Sequence, residues 1–200
     1  MAEENNEENP VIEAIKSRRS VRDYLDKQVS EDIVNQVIDA GIHAPTALGL
    51  QPWNFVVISG KDIIKEISDH IKPMVQEHLK DSTEQLAKDL KEKMKNKDFN
   101  LFYDAPILVI VMHNRDDKLA DYDCALCAEN MMLAAHSLGL GSCWIGAGAF
   151  IQQSPELLDD LDIPHDFKIV APIILGYPKS TPSPIDRCEP MVSWIYKKKG

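Results

Sequence analysis

Apolar residues recur along this chain at two spacings. Val11, Ile12 and Ile15 make a short helical face that stops at Arg18, and Ile33, Val34, Val37, Ile38 and Ile42 repeat at helical intervals between Ser30 and Pro45. Ser30 has the chemistry of an N-cap, with Glu31 and Asp32 in the first turn where the helix dipole favours acids. Ile63, Ile64, Ile67 and Ile71 mark a further helix that Pro73 is expected to end or kink. The longest helix is predicted over 119–138, with apolar or small residues on most faces, and is therefore expected to be buried. Short β-branched runs predict strands: a buried one over 55–58 closed by Ser59-Gly60, a central one over 107–112, one over 142–145, and a last one over 168–175. Pro172 inside that last run points to a sheet edge or a bulge. A short helix is expected near 155–161. Over 77–98 the apolar stripe thins, which reads as a solvated surface helix. The sum is an α+β fold with a mixed or antiparallel central sheet flanked by helices.

Two hundred residues suit a single domain, with residues 1–10 flexible and 178–200 an extended carboxy-terminal arm broken by Pro178, Pro182, Pro184 and Pro190. That arm carries Ile185, Met191, Val192, Trp194 and Ile195, too apolar to stay in solvent, so it packs on its own body or clasps a partner. The formal charge of −10 argues against nucleic-acid binding. The longest unbroken apolar run, 107–112, is far too short to cross a bilayer, and the polar amino terminus has no export signal, so a cytoplasmic protein is expected.

Several chemistries lack their residues. No histidine spacing suits a metal site. The G-x-G pairs at 139/141 and 146/148 lack the third glycine of a dinucleotide fingerprint, and neither a P-loop nor a G-x-S-x-G elbow is present. Cys124 and Cys127 spell C-x-x-C inside the long helix, where packing is the better reading. What does stand out is the arginines. Three of the five, Arg18, Arg19 and Arg22, fall in the window S-R-R-S-V-R beside the hydroxyl of Ser20. Forked donors gathered in an acidic protein suit a small anion; cations capping a helix carboxy terminus is the rival reading, and the residues alone leave both open. A small-residue stretch, 43–55, and a glycine-rich one, 139–148, could let backbone approach a flat ligand.

Taken together, I-x-x-R-R-S-V-R at 15–22, A-P-T-x-x-x-x-Q-P-W at 44–53, N-M-M-L-A-A-x-S-L-G-L-G-x-x-W-I-G at 130–146 and L-G-Y-P at 175–178 resemble the nitroreductase family of flavoenzymes. The resemblance implies a homodimer holding FMN at its interface, reduced by NADH or NADPH and reoxidised ping-pong by a small-molecule acceptor such as a nitroaromatic or quinone. It further implies that Arg18, Arg19 and Ser20 reach the phosphate and ribityl chain, with Arg187 as a second phosphate contact. Arg22 would lie at the N1/O2 edge of the flavin. Pro45, Thr46 and Ala47 would come from the partner subunit, Ile145 and Gly146 would line the ring near N5, one of them offering a backbone N–H, and Trp144 would also contact the cofactor. No protein acid, base or metal is required, because the cofactor carries the chemistry. Two positions depart from the pattern. Gly49 stands where family members often carry an asparagine that touches the flavin, and Arg187 has no basic neighbour at 185 or 188. These departures motivate a rival, a flavin-binding module that does not turn over; reductive dehalogenation on the same fold is a third possibility.

Overall fold

The computed structural model describes residues 9–196. Of the stretch expected to be flexible, residues 1–8 lie outside the described residues, and Asn9 and Pro10 begin the described part. Asn9 Oδ1 accepts the Val11 N–H at 3.0 Å, and Pro10 opens helix α1 (Pro10–Ser17), where its missing N–H costs no helical bond. Helix α2 (Glu31–Gly41) follows, then strand β1 (Asn54–Ser59), α3 (Lys61–Leu79), α4 (Gln85–Met94), β2 (Ile107–His113), α5 (Lys118–Ser137), β3 (Gly141–Trp144), a 3₁₀ helix (Gly146–Gln153), α6 (Pro155–Asp160) and β4 (Lys168–Gly176). No helix among the described residues is long and apolar enough to cross a membrane.

The four strands form one antiparallel sheet in the order β1-β2-β4-β3, so the last strand slides into the middle. All of β2 is buried because helices cover both faces. Leu108, Ile110 and Met112 face the layer containing α3, while Ile107, Val109 and Val111 face α2 and α5. On β4, Ile169 and Ala171 share parity yet face opposite layers. The register explains this: Val111 pairs with Ala171 but Met112 pairs with Ile169, so Val170 is an extra residue that reverses the alternation.

That bulge meets half of the expectation for Pro172, and the edge reading is corrected: β4 is paired on both sides. Pro172 O accepts the Ile145 N–H at 2.8 Å, so the missing Pro172 N–H would point the same way, just past the last β3–β4 pair, Trp144 with Ile173. Strand β1 forms as expected but is not buried throughout. It is the sheet edge, where Ile58 is buried and Val57 is exposed. Pro73 does not end its helix, since α3 continues through it to Leu79.

Two tethers set the loops that matter for function. The segment after α1 docks on β3 through the Val21 N–H to Ser142 O bond at 3.0 Å, and Val21 packs directly on Gly141. A Cβ built on Gly141 would stand 2.6 Å from Val21 Cβ, so only glycine permits this approach. The 43–53 loop, which contains the 3₁₀ turn Ala47–Gly49, is held by Asp123 of α5. Its buried carboxylate accepts the Ala47 N–H at 3.1 and 3.2 Å, one distance for each oxygen.

Both tethers are testable. Gly141→Ala should overpack the junction at a cost of about 1–3 kcal/mol, read as a fall of several degrees in melting temperature. Asp123→Ala leaves the Ala47 N–H without its partner, at about 1–3 kcal/mol, and should speed proteolytic cleavage near Leu48; Asp123→Asn, which keeps an acceptor oxygen, should behave close to wild type in both assays.

Candidate functional site

The arginine window begins where α1 ends. Arg18 takes extended backbone at the helix C-cap, and Ser20 pairs with Ser142 alongside β3. This turns a helical cluster into an extended one whose side chains spread over the end of the sheet. The three arginines then divide. Arg19 answers the helix terminus: its Nη1 donates to Lys16 O at 2.6 Å and to Arg18 O at 2.9 Å, which is the capping role anticipated as the rival reading. Arg18 is turned the other way, towards α5, with Glu129 Oε1 3.5 Å from its Nε. That separation pairs the charges without making a hydrogen bond. Arg22 is exposed and stands over the Tyr103 ring at 5.7 Å.

Two buried side-chain polar atoms among the described residues have no hydrogen-bond partner, Arg18 Nε and Ser142 Oγ. Orphaned buried donors are rare in folded proteins. These two flank Ser20, on the segment and on the strand with which it pairs. The buried thiol of Cys143 reports the same concentration of charge. Burial raises its pKa, while Arg22, the Ser20 hydroxyl and Arg18 all act to lower it. Ser142 was not singled out by sequence; its signal is a hydroxyl on a strand otherwise made of glycine and apolar residues.

A groove of about 380 Å³ brings Arg22 together with Trp144, Ile145 and Gly146, and α4 forms its opposite wall. Of the two backbone donors expected at the flat ligand, Ile145 is excluded, because its N–H already serves Pro172 O. Gly146 remains: it is the first residue of its 3₁₀ helix, where an N–H has no partner within the helix. Two wider hollows, of about 510 and 530 Å³, contain none of the site residues and lie by Asp26 and by Phe150.

Not all of the expected residues meet within one chain. Pro45, Thr46, Ala47 and Gly49 sit on the loop anchored by Asp123, outside the groove, with Leu48 beside them 94% exposed. Arg187 lies in the extended arm, exposed and with no hydrogen bond or ion pair among the described residues. Cys124 and Cys127 are packing residues as read: both are buried in α5, and burial pushes both thiols up to about 12, so neither is a thiolate at neutral pH. No group of three or more potential ligands could hold a metal among the described residues.

The model of the nitroreductase family matches residues 15–177. A solved nitroreductase with bound FMN from Bacteroides fragilis superposes with a TM-score of 0.80 at 30% identity, covering 94% of this chain and 100% of that one. A Methanothermobacter thermautotrophicus protein, named provisionally as an NADH dehydrogenase/NAD(P)H nitroreductase, is 29% identical over 184 residues, 90% of this chain and 83% of its own length. A 4-nitrobenzoate reductase from a Nocardioides species is 28% identical over 205 aligned positions, 84% of this chain and 82% of its own length. The matched span holds the arginine window, the anchored loop, the groove and the whole sheet, and the chain belongs to the nitroreductase family.

Proposed function

We propose that this protein is a cytoplasmic, homodimeric FMN-dependent oxidoreductase that uses NADH or NADPH to reduce nitroaromatic, quinone or similar acceptors by a ping-pong sequence. The observation that carries the reading is the pair of buried groups left without a hydrogen bond, Arg18 Nε and Ser142 Oγ, flanking Ser20 on the same segment and strand that bring Arg22 and Trp144 to the groove. A phosphoryl and polyol chain would satisfy such groups, and a flat ring suits the groove beyond them, so the residues present fit the cofactor. Bound FMN supplies hydride acceptance from the nicotinamide and electron delivery to the acceptor. The chain's own residues bind and bias. Arg18, Ser20 and Ser142, with the part of Arg19 not engaged in capping, would take the phosphate end. Arg22 would place a fixed positive charge at the ring edge, where negative charge grows on reduction, and so would favour the reduced form. The Gly146 N–H offers a donor to the ring.

A second copy of the chain completes this site. The 45–49 loop lies outside the groove in its own chain, yet it presents Leu48 to solvent on a rigid anchor. Helix α1 exposes Val11, Ile12 and Ile15, α5 exposes Leu119, Tyr122 and Leu126, and the arm exposes Met191, Trp194 and Ile195 at 97%, 76% and 94%. So much uncovered apolar surface favours burial between two copies. The open outer edge of β1 gives the partner a further place to engage. Sedimentation of the yellow protein at micromolar concentration should show an FMN-loaded dimer, and dilution should release flavin together with the dissociation of subunits. An FMN-loaded monomer would overturn the dimeric site.

The three arginines should separate by experiment. Arg18→Ala removes a charge-assisted contact whose anion is unchanged by redox state. It should raise the FMN dissociation constant roughly ten- to a hundred-fold, equivalent to about 1.5–3 kcal/mol, with the flavin potential kept. Arg19→Ala should also lower the melting temperature, because it caps α1. Arg22→Ala should retain FMN better but make the potential more negative and slow reduction by NAD(P)H. A wild-type potential in Arg22→Ala rejects that assignment. Steady NAD(P)H oxidation with a quinone, as opposed to a single stoichiometric bleaching, separates the enzyme from a flavin-binding module that does not turn over.

A further inference from the structure

The wall of the groove contributed by α4 contains groups that the cofactor reading leaves unassigned. The α4 stretch that reads as a solvated surface helix does not float free. Ala87 and Met94 are buried, and Leu90 packs against the core. This orientation turns Leu86, Asp89 and Lys93 into the groove, towards Trp144. Leu86 and Trp144 give the groove apolar sides, whereas its charged groups are Arg22, Lys93 and Asp89.

Those charges are unevenly engaged. Asp89 accepts a hydrogen bond from Gln85 Nε2 at 2.7 Å. Lys93 makes no ion pair among the described residues; its Nζ stands 5.8 Å from the centroid of the Tyr103 ring, the same ring that Arg22 covers at 5.7 Å. The ring is held there by an unusual turn. Tyr103 and Asp104 both adopt left-handed backbone, with φ of 55° and 52°, a costly conformation for residues with a side chain. Asn100 braces the turn, its Oδ1 accepting the Phe102 N–H at 2.9 Å and its Nδ2 donating to Asp104 Oδ1 at 3.0 Å, and Phe99 packs edge-on against the Tyr103 ring. The braced turn fixes the place of the Tyr103 ring. Its effect is to set one aromatic ring near two cations that line the groove. Arg22 is assigned to the cofactor; the Lys93 ammonium has no anion.

We propose that the groove selects a flat aromatic acceptor bearing an anionic substituent such as a carboxylate, and that Lys93 is the residue that takes the anion. The inference rests on the flavoenzyme reading above. The aromatic body lies against Leu86 on the α4 side of the groove, the anion meets Lys93, and Asp89, one turn earlier on α4, disfavours anions at its own end of the groove.

The test uses the FMN-loaded enzyme and two probes of the same shape, 4-nitrobenzoate and the neutral 4-nitrobenzamide. The wild type should show the higher kcat/KM with the carboxylate. Lys93→Gln should lower the carboxylate-to-amide ratio by about three- to tenfold, the range for one solvent-accessible charge contact, through KM more than kcat. Lys93→Arg should restore most of the ratio, and Asp89→Asn should raise it. Calorimetry of benzoate and benzamide binding to the oxidised enzyme should follow the same order without turnover. A ratio equal in wild type and Lys93→Gln overturns the proposal. So does a Lys93→Gln defect confined to the KM for NADPH relative to NADH, which would give the lysine to the reductant's phosphate. A protein that retains no FMN sinks the flavoenzyme reading and this proposal with it; an FMN-loaded enzyme that reduces both probes without discriminating them sinks this proposal alone.

Discussion

Val21 donates its backbone N–H to Ser142 O, and that bond joins the arginine segment to the sheet. It holds because Gly141 has no side chain where Val21 arrives, and because β3 rests against β4 in the middle of the sheet. Tyr24 continues the seam, donating its hydroxyl to Val21 O at 2.7 Å, while Leu25 N–H reaches Tyr177 O and Lys179 N–H reaches Asp23 O. A chain that leaves α1 could otherwise point three arginines anywhere. Stitched at these points, it lays Ser20 along β3, leaves Arg18 facing α5 and brings Arg22 to the groove beside Trp144.

The sheet that carries this seam is rigid for an ordinary reason. Apart from His113, strand β2 is apolar on both faces, as is most of β4, so each apolar side chain contributes to one of two cores separated by a single layer of backbone. Burying such a side chain contributes about 1.5–3 kcal/mol. The bulge at Val170 is the one irregularity. It reverses the alternation along β4 just before Pro172, whose carbonyl fixes Ile145. Backbone position at the groove is thus set by a proline that cannot donate and a neighbouring strand that has already ended.

Charge is the other organising constraint. In a chain of net charge −10, isolated cations usually find acids, as Lys61 does with Asp26 and Lys168 with Asp121. Around the groove this pattern breaks down. Arg22 and Lys93 form no ion pair among the described residues and share an aromatic ring instead. Positive charge left unneutralised in an acidic protein creates a local field for anions without making the whole surface attractive to nucleic acid.

Periodicity and residue chemistry determined a good deal unaided. They predict α1, α2, α5 and the strands to within a few residues, because those elements bury apolar faces whose spacing is written in the chain. They also identify the arginine window, whose residue types have few uses in an acidic protein, and the C-x-x-C pair as packing, because both cysteines lie within one apolar helix. What they could not decide depended on neighbours distant in sequence. Pro172 reads as an edge residue until β4 is seen to sit between β2 and the end of β3. Arg18 and Arg19 are chemically identical and adjacent, yet one caps α1 while the other faces α5, a division made by the backbone turn at Arg18. Asp123 carried no local signal and Ser142 only that of a hydroxyl on an apolar strand, since a buried carboxylate or hydroxyl acquires meaning only from the N–H or the void brought against it. Lys93 read as one lysine among many on a solvated helix. It became a groove residue only because Ala87, Leu90 and Met94 anchor α4 to the core and fix which way the helix faces. Local sequence sets which elements form and which groups they carry; only packing, which chooses one rotation and one neighbour for each element, sets what those groups meet.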